Sequence, residues 1–222
     1  KLAINRLSIG VQSFFEEDLI WMNRAHNAKQ ALQNVKLAQH ADFSNISVDL
    51  IYGSPTLTDE KWKQNLQQAF ALNIPHLSCY ALTVESKTAL EKMIAQNKKE
   101  NIDAEKQGSH FEILMQWASE TGYEHYEISN FAKPGFRSKH NSSYWQGKSY
   151  LGLGPSAHSY NGISRQWNIA NNTLYVESIT KNILPFEIEE LTLTQKINEY
   201  IMTGLRTIEG IDLDFVPEYY FC

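Results

Sequence analysis

Residues 46–83 read ISVDLIYGSPTLTDEKWKQNLQQAFALNIPHLSCYALT, and this stretch decides the fold class. Residues 46–52 form a short apolar run closed by Gly53-Ser54-Pro55, the pattern of a buried strand with a turn behind it. Thr58 then stands where a helix needs its cap, and Asp59 and Glu60 fall in the first turn, where carboxylates suit the helix dipole. Trp62, Leu66, Ala69 and Phe70 follow at helical spacing and predict an inner face. Residues 76–83 return to a strand. The same alternation precedes this stretch. Residues 6–11 read as a buried strand bounded by Gly10 and a polar turn at Ser13. Asn27 caps a helix over 28–41, in which Ala28, Ala31, Leu32, Val35 and Ala38 share one face. Strands and helices in this order predict right-handed βαβ units on a parallel sheet, an α/β fold. Three such units do not close a barrel, which implies further units ahead of them.

Downstream, residues 103–121 predict the longest helix, with Phe111, Leu114, Met115 and Ala118 on one face and Gly122 past its end. Residues 126–131 open a loop system on further strands, 163–169 predict another strand, and helices are expected around 173–181 and 194–207. No internal repeat or low-complexity segment interrupts the chain. A net charge of −5 gives no electrostatic case for nucleic acid as a partner. No apolar run approaches the roughly eighteen residues of a membrane span, and no secretory signal is present. The mixed-sign run from Glu91 to Glu105 reads as a solvated helix or loop. These features predict a soluble protein. With only Cys79 and Cys222, a disulfide framework is not expected and a reducing cytoplasm fits. Cys79, inside LSCYAL, reads as a small buried hydrophobe. An iron–sulfur cluster is held by closely spaced thiolates, and this chain has none so spaced.

Two constellations point to chemistry. In parallel α/β sheets ligands gather at the carboxyl ends of the strands. Gln12 follows the first strand, Arg24 lies in the connection after it, and Asp49 sits inside the apolar run SVDLIYG. A carboxylate there is costly unless paired or hydrogen-bonded, so Asp49 either faces a ligand or meets a basic neighbour or a backbone turn. The second constellation is residues 126–162, YEISNFAKPGFRSKHNSSYWQGKSYLGLGPSAHSYNG. It sets His140, Asn141, Tyr144, Trp145 and His158 among glycine-rich turns, which reads as a loop system and not an amphipathic helix. A nitrogen ligand, two aromatic plates and a tight backbone corner suit a flat cofactor such as a porphyrin; a structural loop whose aromatics plug a core is the plain alternative. The glycines of YLGLGPSAHSYNG have neither dinucleotide-loop spacing nor a lysine placed for phosphates, and read as sites of positive φ and close backbone approach to a ligand. The remaining five histidines show no HxxxH or HExxH spacing and indicate no zinc site. No GxSxG elbow supports a serine hydrolase.

HNSSYW matches an HNxxYW signature, with EISNFAKPG and YLGLGPSAHS on its flanks and NRLSIGVQSF, VDLIYGSP and LSCYALTVE upstream in the same order. Through these motifs the chain resembles, over nearly its whole length, the oxygen-independent coproporphyrinogen III oxidase-like family of radical SAM proteins, with the haem-chaperone branch nearest. The resemblance implies the C-terminal half of a partial (βα)6 radical SAM barrel over 1–122. It further implies an α+β extension with the HNxxYW and GLGPSAHS loops over 123–185, and the start of a truncated C-terminal helical domain over 186–222. Members carry a CxxxCxxC run ahead of a segment like that at Asn5. This chain starts without methionine inside a predicted strand, and is expected to be a fragment of a longer protein that supplies the cluster. The resemblance implies that S-adenosylmethionine is held by Gln12, Arg24 and Asp49, with backbone contacts from Ala81 and His158. It implies haem held by His140 as iron ligand, with Asn141 bonding to it and Tyr144 and Trp145 stacked on the macrocycle. Two functions are open. One is a haem chaperone that binds haem, S-adenosylmethionine and a 4Fe–4S cluster, and passes haem to respiratory proteins. The other is a coproporphyrinogen III dehydrogenase, which converts two propionates to the vinyl groups of protoporphyrinogen IX through a 5′-deoxyadenosyl radical. HNSSYW and YALTVE look like the chaperone branch. The chain by itself is expected to lack decarboxylase activity.

Overall fold

The structure, a computed structural model, describes residues 3–216. The described chain divides between Arg137 and Ser138 into two compact units. The first begins with β1 (Arg6–Gln12), α1 (Glu16–Trp21), α2 (Ala28–His40), β2 (Asn45–Tyr52), α3 (Asp59–Ala71) and β3 (His76–Ala81). It continues with α4 (Ala89–Ala95), α5 (Ala104–Glu120), β4 (Glu124–Glu127) and β5 (Asn130–Ala132). Its sheet runs β1-β2-β3-β5-β4. The β1, β2 and β3 strands are parallel, as the sequence pattern predicts, and the β4–β5 hairpin adds to β3 antiparallel.

The helix starts follow their caps. Asn27 and Gln30 form a reciprocal capping box on α2, Thr58 accepts from the Lys61 N–H on α3, and Asp103 accepts from Glu105 and Lys106 on α5. Strand alternation sorts the sheet into two unlike faces. Leu7, Ile9, Val48, Leu50, Leu77 and Cys79 point to one side and pack with Val35, Trp62, Leu66 and Leu114 from α2, α3 and α5. Each fully buried side chain of this kind contributes about 1.5–3 kcal/mol. Cys79 is part of this apolar face, as expected, and burial pushes its thiol pKa up. The opposite face presents Arg6, Ser8, Gly10, Ser47, Asp49, His76, Ser78 and Tyr80.

The second unit holds α6 (Lys139–Trp145), β6 (His158–Tyr160), β7 (Ser164–Asn168), α7 (Asn172–Thr180), β8 (Phe186–Glu190) and α8 (Leu193–Gly204), with a 3-10 turn at Leu213–Phe215. Its antiparallel sheet runs β6-β7-β8. The sequence boundaries at 122/123 and 185/186 differ from this division. The hairpin following 123 pairs onto the first sheet through Leu77↔Phe131, and β8 pairs along the whole of β7. Among the described residues no helix is long and apolar enough to cross a membrane.

His76 is buried beneath the polar face, with Ser47 Oγ 2.7 Å from Nδ1 and Tyr126 Oη 2.7 Å from Nε2. Burial, with the Arg6 guanidinium adding repulsion, pushes its pKa down to about 3, so the ring is neutral in the fold. The unfolded chain takes up a proton near pH 6.5 that the folded chain refuses. Stability from this group is therefore complete above that pH and lost as pH falls toward 3, by about 1.4 kcal/mol per pH unit. Urea unfolding of wild type and His76→Gln between pH 7 and 4 is expected to show the wild-type advantage shrinking at that slope. A pH-independent difference would show the ring is not held neutral.

Candidate functional site

The carboxyl ends of β1 and β2 are fixed by one buried carboxylate. Asp18, on α1, accepts from Ser13 Oγ at 2.7 Å, Thr56 Oγ1 at 2.6 Å and Ser54 Oγ at 3.2 Å. Asn65 of α3 joins the same knot, accepting from the Phe14 N–H at 2.8 Å and donating to Ser13 Oγ at 3.1 Å. The loop after β1 and the Gly53-Ser54-Pro55 turn after β2 are thereby held to each other. Sequence reading missed this knot, because α1 is six residues long and has no side-chain cap. Two serines and a threonine placed where two strands end, Ser13, Ser54 and Thr56, were the available signal.

Gln12 sits at that edge with φ 68°, the left-handed region a non-glycine residue avoids. The β1–β2 register breaks between Gly10 and Gln12. The Gln12 amide folds back over Gly10, so closely that a Cβ at position 10 would stand 2.7 Å from Nε2. Gly10 is the strand partner of Asp49, which brings Gln12 and Asp49 to one patch of the polar face. Asp49 is half-buried and accepts from Ser8 Oγ at 3.2 Å; no basic side chain pairs with it among the described residues. Burial pushes its carboxyl pKa up, against the pull of hydrogen bonds from Ser8 and Ser78. Tyr80, 44% exposed, borders the same patch, with Asp49 and Glu127 close enough to help burial raise its phenol pKa. Ala81 ends β3, opposite Tyr52, with its carbonyl accepting from Thr83. Arg24 is exposed in the connection after α1, and no hydrogen bond or ion pair joins its guanidinium to Gln12 or Asp49 among the described residues. Gln12 and Ala81 end β1 and β3, Asp49 lies three residues short of the end of β2, and Arg24 is exposed in the connection after α1.

In the second unit the HNSSYW segment is helical, which corrects the loop reading. Ser138 caps α6 by accepting from the Asn141 N–H at 3.3 Å, and Gly147 with φ 61° follows its end. Low-propensity Asn141, Ser142 and Ser143 hid the helix in the sequence. The helical period puts His140 and Tyr144 on one face, their rings edge to face at 5.0 Å. Tyr144 meets Tyr150 at 4.8 Å, and Tyr150 meets Tyr160 at 6.1 Å. Tyr144, Trp145, Tyr150, Tyr160 and Tyr200 line a cavity of about 460 Å³ between α6, the β6–β7 hairpin and α8. His140 and Asn141 do not line it. His158 is exposed on β6, its ring 6.3 Å from that of Trp167. Of the glycines, Gly154 and Gly162 take positive φ of 103° and 90°, as expected, and Gly152 is required by close approach within the chain itself, since a Cβ there would stand 2.1 Å from the His158 carbonyl oxygen.

Residues 1–69 match the model of the radical SAM superfamily. The chain is 34% identical to the haem chaperone HemW of Bacillus subtilis over 219 residues, which are 98% of this chain and 58% of that protein. It is 37% identical to HemW of Escherichia coli over 158 residues, covering 71% of this chain and 41% of that one. It is 34% identical to the bovine mitochondrial radical S-adenosyl methionine domain-containing protein 1, covering 94% and 49% of the two chains. The coproporphyrinogen III oxidase HemN of E. coli, a radical SAM enzyme, shares the fold with a TM-score of 0.75 at 20% identity, over 99% of this chain and 54% of that one. The protein belongs to the radical SAM superfamily. Its curated relatives include several HemW haem chaperones, and the chain spans a little over half the length of the first of them.

The left-handed Gln12 gives a direct test. Gln12→Gly removes the Cβ strain that Gln12→Ala keeps, and the glycine variant is expected to be about 1 kcal/mol more stable in urea unfolding. Equal stabilities would show that the position is unstrained.

Proposed function

We propose that this chain is the substrate-holding part of a radical SAM haem chaperone, a protein of the cytoplasm that binds haem and S-adenosylmethionine and delivers haem to respiratory proteins. One observation supports it most. The family's HNSSYW segment forms a helix that sets Tyr144 and Trp145 on the wall of an aromatic cavity, with His140 against the outer edge of Tyr144. The donor set suits haem: aromatic faces for the macrocycle and an exposed imidazole for iron. Asn141 is the next residue along and is available to orient that imidazole.

S-adenosylmethionine fits the polar strand edge. Asp49 retains acceptor capacity beyond Ser8 and Ser78 for ribose hydroxyls or an amino group, and Gln12 offers both donor and acceptor beside it. Arg24 would take the carboxylate and the Ala81 backbone the adenine; His158 is proposed to add a further backbone contact. A 4Fe–4S cluster does not fit this chain's own residues. Cys79 is buried in the apolar core and Cys222 lies outside the described residues, so radical generation needs thiolates from elsewhere in the protein. The dehydrogenase reading draws on likeness of fold alone, at 20% identity.

A Soret titration tests the haem assignment. His140→Ala is expected to weaken haem binding about tenfold or more, and His158→Ala to leave it near wild type; two variants matching wild type would make HNSSYW structural. Anaerobic reconstitution of the 222-residue chain with iron and sulfide is expected to leave no 4Fe–4S absorption, and a stable cluster would overturn that expectation. In a protein that includes the upstream segment, Asp49→Ala is expected to cost about 1–3 kcal/mol of S-adenosylmethionine affinity by calorimetry.

A further inference from the structure

The cavity of the second unit carries a charge pattern as well as aromatic walls. Three cationic side chains line it: Lys148 after α6, Arg165 on β7 and Lys196 on α8. Glu199, one turn along from Lys196, is the counter-charge on the wall, and it is already committed to Arg165 at 2.7 Å. Lys148 and Lys196 make no ion pair or side-chain hydrogen bond among the described residues. Arg165 is not free for a ligand, yet it anchors the wall, with its guanidinium 5.8 Å from the centre of the Tyr160 ring. The cavity therefore offers tyrosine and tryptophan side chains together with two uncommitted ammonium groups. About 460 Å³ is within the ordinary range for a small-molecule site.

Resting on the haem-binding reading above, we propose that this cavity seats the macrocycle and that Lys148 and Lys196 receive its two propionates. A neutral aromatic ligand leaves both ammonium groups unmatched. A porphyrin with four propionates brings more negative charge than the two can answer, and Glu199 repels the excess. A flat dicarboxylate satisfies both features of the cavity. Each lysine carries three donors on a flexible stem, suited to a carboxylate that swings on two carbons. Recognition of the propionates rests on Lys148 and Lys196 and does not involve His140, which does not line the cavity.

Metal-free protoporphyrin IX removes the iron and isolates the cavity. Its binding to the 222-residue chain is followed by fluorescence for wild type, Lys148→Glu and Lys196→Glu, with folding checked by circular dichroism. The charge reversals are expected to weaken protoporphyrin IX about tenfold each. They should leave its dimethyl ester unchanged. Coproporphyrin III, with four propionates, is expected to bind wild type more weakly than protoporphyrin IX. If wild type binds haem and both charge reversals bind protoporphyrin IX like wild type, the propionate assignment is wrong and the haem-binding reading stands. The same holds if the ester loses as much affinity as the diacid, or if coproporphyrin III binds more tightly. If wild type binds neither haem nor protoporphyrin IX, the haem-binding reading itself fails and this assignment goes with it.

Discussion

The carboxylate of Asp18 sets the geometry on which the first unit's site depends. Three hydroxyl donors from two different strand ends converge on it, at a depth where it is 1% exposed. A buried carboxylate tolerates that depth only when its lone pairs are met, so the loop after β1 and the turn after β2 are locked together or neither is stable. Gln12 adjoins Ser13, one of those donors. A left-handed glutamine persists only where its surroundings over-determine the backbone, and here Ser13 is held from both sides, by Asp18 and by Asn65. The strain at Gln12 and the knot at Asp18 are two ends of one device.

That device sits at the rim of a sheet whose two faces obey different rules. Strands buried on both sides of a parallel sheet are near-continuous hydrophobic runs. Here β1, β2 and β3 alternate, with Ile9, Val48 and Leu77 toward the helices and Ser8, Asp49 and Ser78 away from them. The alternation means that the second face serves something other than helix packing. At its lower end that face is closed by neutral hydrogen bonding, Ser47 to His76 to Tyr126. At its upper end it presents Asp49 and the half-exposed Tyr80. A polar ligand bound there meets groups already oriented by strand register.

Much of the first unit was legible in the sequence because its signals are local. Asn27, Thr58 and Asp103 start their helices through side-chain caps, and the apolar periods of α2, α3 and α5 mark their buried faces. Local signals fail where pairing is distant. The hairpin of β4 and β5 has strands of four and three residues, and its place depends on meeting β3 about fifty residues away, through His76↔Ala132. β8 was invisible for another reason: all five of its residues, FEIEE, are exposed, so no buried face imposed a period. Gln12, Asp49 and Ala81 are implied by the family resemblance, and the strand bounds put Gln12 and Ala81 at the ends of β1 and β3 and Asp49 within β2. Arg24 lies after α1, a helix the sequence did not announce.

The second unit shows how a short motif can be misread and still be informative. HNSSYW has the composition of a loop, and Ser138 and Gly147 turn it into a seven-residue helix by satisfying its two ends. Helical spacing then dictates the chemistry. Residues four apart share a face, so His140 is tied to the ring of Tyr144, and Tyr144 through Tyr150 to Tyr160 on the sheet. Gly152 keeps this ladder together at its far end, because only glycine lets the chain lie against the backbone of His158. An imidazole on the exposed end of an aromatic ladder is reachable from solvent while the ladder itself is held by the fold.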